Sequence, residues 1–203
     1  YMMQKNKNHS LSNGKYVIWF ASVLIFIGIS RHLPLDYPEL FNFSPVIAIF
    51  LFSAAYIKGR FSWIVPTIGV ILSDLLLSAF YGHKLVEPFM FVAWFSYALI
   101  FLLGKWMGTK GNIYKIGICG LISAFIFHII TCSFSWWINP AYVKTISGLV
   151  QAIFLGEPGF PPSYLFLKNT VLGTLFYSSL FAYLAKTLSL QTHANLPIRV
   201  HAN

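Results

Sequence analysis

Acidic residues are scarce: five Asp and Glu stand against fourteen Lys and Arg in 203 residues. Charged residues of both signs make up only 9%, against about 25% in soluble domains. That shortage excludes an ordinary water-facing surface. Cysteine is scarce too. Cys119 and Cys132 fall in one apolar run without CxxC spacing, which argues against a disulfide framework or a thiolate zinc site and for small buried residues. No HExxH, GxSxG or P-loop pattern occurs. The chain is therefore read as not an enzyme, with no cofactor and no metal, and any ATP-driven energy source would have to come from another subunit.

What is present is hydrophobic: 57% of the residues are apolar, 18% are aromatic, and the mean hydropathy is +0.70. The net charge of +9 sits in connectors between apolar runs. It reads as membrane topology, with the lipid bilayer and not nucleic acid as partner. The fold class expected is all-α, a polytopic membrane protein with six transmembrane helices over residues 16–30, 45–58, 61–80, 88–106, 116–139 and 163–188. A crossing takes about 20 residues. Span two is the shortest, with Pro45 as its helix-start residue and residues 41–44 needed to complete the crossing. The run after Lys5, Lys7 and Lys15 lacks an A-x-A cleavage pattern and is read as a retained helix. Tyr1, ahead of Met2-Met3, is set aside as an appended residue. The domain reading is a cytoplasmic tail at 1–15, one membrane domain at 16–188, and a mobile cytoplasmic tail at 189–203 carrying His193 and His201.

With both termini inside, ten of the fourteen Lys and Arg fall on the inner side, including Lys58, Arg60, Lys105, Lys110, Lys115, Lys186 and Arg199. Arg31, Lys84, Lys144 and Lys168 fall on the other side or in its half of the spans. All five acids, Asp36, Glu39, Asp74, Glu87 and Glu157, fall there too. The excess of Lys and Arg inside gives the N-in/C-in orientation. An amphipathic stretch from Val143 to Leu155, in the outer loop before span six, is expected to lie across the interface or fold over a cavity.

Asp74 lies about 9 Å inside the outer end of span three, and Lys168 about 7.5 Å inside that of span six. A carboxylate at such depth normally faces the bundle interior or water and has a partner. The expectation is that Asp74 and Lys168 line one outward-open cavity, paired directly or through ligand or water. The plainer readings are a helix-to-helix hydrogen bond for Asp74 and snorkelling for Lys168. Thr67, Asp74 and Ser78 share a helix face. Gly117, Gly120, Ala124, His128, Thr131 and Ser135 form another, where small residues favour close helix packing. His128 reads as a helix-to-helix hydrogen bond or a ligand contact. Trp136 and Trp137 read as interface belt residues or as walls of a site. Substrate-binding candidates are thus Asp74, Lys168, Asn169, Asn42, Trp136, Trp137, Tyr142 and His128.

The order of Arg31-His-Leu-Pro34, Asn42-Phe-Ser-Pro-Val46, Ser73-Asp-Leu75, Trp137, Tyr142, Lys144-Thr145, Gly148-Leu149 and Lys168-Asn-Thr170 with Gly173 resembles a family of bacterial membrane proteins of unknown function described as transport proteins. Thr174 stands where that pattern often has an acid. In architecture the chain is similar to the S components of energy-coupling-factor vitamin transporters. That likeness implies a small nutrient ligand and, as partner, an energising ATPase module. Those components dock through an Ala-xxx-Ala pattern in the first helix, where this chain has Ala21 and Gly28, seven apart. The function expected is uptake of a small nutrient, with a vitamin-like compound as one candidate, from an outward-facing cavity in the inner membrane. The alternatives are a non-transporting accessory subunit of a larger membrane complex and, third, an intramembrane enzyme.

Overall fold

The computed structural model describes residues 22, 25–57, 59–81, 87–108 and 113–194, with the side chains of 79–81, 113 and 185–194 outside that description. Lys5, Lys7, Lys15, Lys58, Lys84, Lys110, Arg199 and His201, and the side chains of Lys186 and His193, lie outside the described residues. So does the N-terminal tail.

The described chain is all-α. Helix α1 covers residues 25–36, and a 3-10 turn follows at Pro38–Leu40. Then come α2 (Val46–Tyr56), α3 (Phe61–Tyr81), α4 (Pro88–Met107), α5 (Ile113–Ile138), α6 (Ile146–Phe154) and α7 (Ser163–Ala194). Among the described residues, three helices are long and apolar enough to cross a membrane: α3 over Phe61–Ser78, α4 over Pro88–Met107 and α5 over Tyr114–Ile138. Large apolar side chains such as Leu76, Phe91, Phe95, Leu102 and Ile118 are exposed on them, as lipid-facing surfaces require.

Helix α2 departs most from a simple span. Its 11 residues extend only about 16 Å, against roughly 30 Å of hydrocarbon. It is apolar all round because it is surrounded: Val46 through Ala54 are all buried, against α3, α4, α5 and α7. Burial on every side, not length, explains its composition. Gly104 of α4 allows a close approach to α2, since a Cβ there would stand 2.9 Å from Ala54 Cβ and within the radius of the Leu51 carbonyl oxygen.

The first helix does not end at residue 30. It continues through Pro34 to residue 36, with the Tyr37 amide donating to the Leu33 carbonyl at 3.0 Å. Arg31 is therefore a helical residue. At the other terminus α7 runs to Ala194, past the boundary expected at 188.

Aromatic packing fills the middle. Phe50, Tyr97 and Phe127 stack in series, with centroids 4.9 and 5.5 Å apart and ring planes within 14°. Trp63 meets Phe50 edge-on at 5.4 Å. Such contacts add specific geometry to the area they bury.

Candidate functional site

The end of the bundle at which α1 and α3 finish and α2, α4 and α7 begin is built around one ion pair. Arg31 Nη1 lies 2.6 Å from Asp74 Oδ1 and donates to Ser73 Oγ at 3.1 Å. Ser73 Oγ in turn donates to the Val70 carbonyl at 2.9 Å. The pair joins α1 to α3, and both side chains remain partly accessible, at 26% and 16%. The access is a cleft of about 300 Å³ whose walls include Asn42, Phe43, Trp94, Tyr97, Phe127 and Thr170. Arg31 and Asp74 are its charged members among the described residues.

One rim of this cleft is residues 41–46, and its shape follows from local chemistry. Asn42 takes a positive φ of 65°, which Asn tolerates better than most residues. Asn169 Nδ2 of α7 donates to the carbonyls of Glu39 and Phe41 at 2.7 and 2.9 Å. Gly173, one turn on, has no side chain, and a Cβ there would meet the Ser44 amide nitrogen at 3.0 Å and Phe43 Cα at 3.3 Å. The Asn-Phe-Ser-Pro segment is thus tied and seated on α7.

The candidates from the sequence divide into three groups. Asp74 and Asn42 line the cleft, and Asn169 holds its rim. Lys168 does not meet Asp74: it is exposed on α7, and the cation beside Asp74 is Arg31. The extension of α1 causes the difference, because it carries a guanidinium into the layer where the carboxylate sits. His128, Trp136, Trp137 and Tyr142 belong elsewhere. Helix α6 folds back along α5, its start held near Trp136 and its end at His128, two turns earlier. Trp136 Nε1 donates to the Val143 carbonyl at 2.9 Å, and His128 Nε2 donates to the Ile153 carbonyl at 2.8 Å. Lys144 Nζ caps the end of α5 through the carbonyls of Trp136 and Asn139. Thr145 accepts from the Gly148 amide as the N-cap of α6. Trp137 is 72% exposed. Tyr142 is buried, and that burial, with the Glu157 carboxylate adding to it, pushes its phenol above the ordinary range. This corner explains the Tyr142, Lys144-Thr145 and Gly148 positions as structural.

Sequence reasoning missed Arg31 as the partner, and missed Trp94, Tyr97 and Phe127 as walls. The available signal was Arg31 itself, the cation closest to the end of span one. Thr67 and Ser78 do not join Asp74 in the cleft lining: Thr67 Oγ1 is buried without a hydrogen-bond partner among the described residues, and Ser78 Oγ donates to the Leu75 carbonyl.

Acidic residues collect at this end. Glu39 is in the rim segment, Asp74 in the cleft, and Glu87 at the N-cap of α4. Glu157 accepts from Asn139 Nδ2 at 2.7 Å just beyond α5, and Asp36 closes α1. Arg60, Lys105 and Lys115 lie at the other end, over the rings of Phe61, Phe101 and Trp106.

No curated protein and no solved structure matches the chain. Residues 11–196 match the model of a family of unknown function, DUF6580. That match spans nearly the whole sequence, and the chain belongs to this family.

Proposed function

We propose that the protein is a six-span, N-in/C-in protein of a bacterial cytoplasmic membrane that binds a small nutrient in the Arg31–Asp74 cleft and takes part in its uptake. In this reading α1, α2 with its approach segment, α3, α4, α5 and α7 are the six crossings, and α6 is a re-entrant element on the outer side. The gathering of acids at the cleft end and of Arg60, Lys105 and Lys115 at the other supports an outward-facing cleft, because Lys and Arg are retained on the cytoplasmic side.

The ion pair carries the proposal. Two charges inside a membrane bundle are costly to insert and are normally kept for a function. Here they face a cleft of about 300 Å³ with aromatic walls, the composition of small-molecule sites: mostly apolar, with a few placed polar groups. The chain acts in this reading as a binding and transport component without catalysis of its own. Coupling to an ATPase module or to a larger membrane complex is the remaining part of the proposal.

Native mass spectrometry of the protein purified from its own membranes in mild detergent tests the reading. A small molecule should accompany the wild type and be lost from Ala93→Trp, which fills the cleft while its melting temperature reports that the fold survives. A wild type that carries no such molecule, or a folded Ala93→Trp that retains it, contradicts the proposal.

A further inference from the structure

The ion pair is partly open to the cleft, and that feature points to the charge class of the ligand. Nη1 of Arg31 meets Oδ1 of Asp74 and also donates to Ser73 Oγ. Both side chains are partly accessible, Arg31 at 26% and Asp74 at 16%. Both side chains line the cleft, so a guanidinium and a carboxylate are presented side by side. The cleft is otherwise without charge among its described residues.

We infer that the cleft takes a small aromatic zwitterion, its carboxylate on the Arg31 guanidinium and its ammonium on the Asp74 carboxylate; this rests on the reading of the cleft as a ligand site. Neutrality is the first reason. The Arg31–Asp74 pair is balanced, and a ligand of one charge sign would leave an excess charge in a medium that screens poorly. A zwitterion adds one charge of each sign and makes two charge-assisted contacts without breaking the existing one. Arg is suited to the first of these, since its planar fork can serve two carboxylates at once. The walls supply the second reason. Tyr97 and Phe127 extend a stack that begins at Phe50, and Trp94 and Phe43 border the same space. A flat ring is the complement of such walls, through offset-stacked or edge-on contact. An ammonium close to these faces is also favoured by their quadrupoles.

The test is isothermal titration calorimetry on the full chain in detergent with four ligands of similar ring and length. They are L-phenylalanine (zwitterion), 3-phenylpropionate (anion), phenethylamine (cation) and 3-phenylpropanol (neutral). Phenylalanine should bind about tenfold or more tightly than each of the other three, the effect of losing one charge-assisted contact. In Asp74→Asn the preference should move toward 3-phenylpropionate, and in Arg31→Gln toward phenethylamine. A purely structural pair would not produce these opposite changes. If either variant fails to fold, the ranking of the four ligands on the wild type decides. A single-charge or neutral ligand that binds as well as phenylalanine overturns the inference. Absence of binding by all four also overturns it. In either outcome the cleft reading stands if native mass spectrometry still finds a molecule lost from Ala93→Trp, and falls with the inference if it does not.

Discussion

Arg31 and Asp74 hold opposite charges 2.6 Å apart on two different helices, so each neutralises a charge that the other would leave stranded. Asp74→Asn should lower stability by about 2 kcal/mol, less than a fully buried pair would lose because both side chains are partly accessible. The exchanged pair Arg31→Asp with Asp74→Arg should recover a good part of that loss in thermal unfolding in detergent. Single variants that melt like the wild type would remove the pair from the account of the fold. At Gly173 the constraint is steric. A Cβ 3.0 Å from the Ser44 nitrogen must push the rim away, so Gly173→Ala should cost about 1–2 kcal/mol. It should also weaken binding of the molecule that accompanies the wild type. The sequence drew attention to Asp74, Asn42 and Asn169 because a carboxylate and amides are expensive inside a bilayer unless they are partnered. It could not name the partner, because Arg31 and Lys168 both lie near the same end and spacing along the chain says nothing about which helices adjoin.

At the scale of elements, α3, α4 and α5 were legible to within three residues at each end, since an apolar run of about 20 residues has few other solutions. Two elements were not legible, for different reasons. The apolar run of span one gives way to Arg31 and His32, which put its end at residue 30, yet α1 continues to residue 36 and so delivers Arg31 to the cleft. Hydropathy also cannot tell a helix bathed in lipid from one enclosed by protein, and α2 is the enclosed kind. Helix α6 was expected as an amphipathic stretch, but its docking on α5 through Trp136 and His128 depends on contacts that no periodicity contains. His128→Leu should speed hydrogen exchange across residues 143–156 by removing the bond to Ile153, worth about 1 kcal/mol. It should leave binding in the cleft unchanged. A loss of binding equal to that of Asp74→Asn would place His128 in the site after all.

For the whole molecule, the separation of charge and the position of the cleft make one joint statement: the end that holds the acids also holds the opening. On the proposed N-in/C-in orientation, an aqueous ligand reaches Ala93 and Trp94 from outside the cell without crossing the bilayer. This is checked with Ala93→Cys in a background where Cys119 and Cys132 are replaced by alanine, using a membrane-impermeant maleimide on intact cells. Labelling of intact cells is expected at a rate close to that seen after permeabilisation, with slower labelling when Phe43→Trp narrows the cleft. Labelling that requires permeabilisation would contradict it, because the cleft would then open toward the cytoplasm or be closed to solvent.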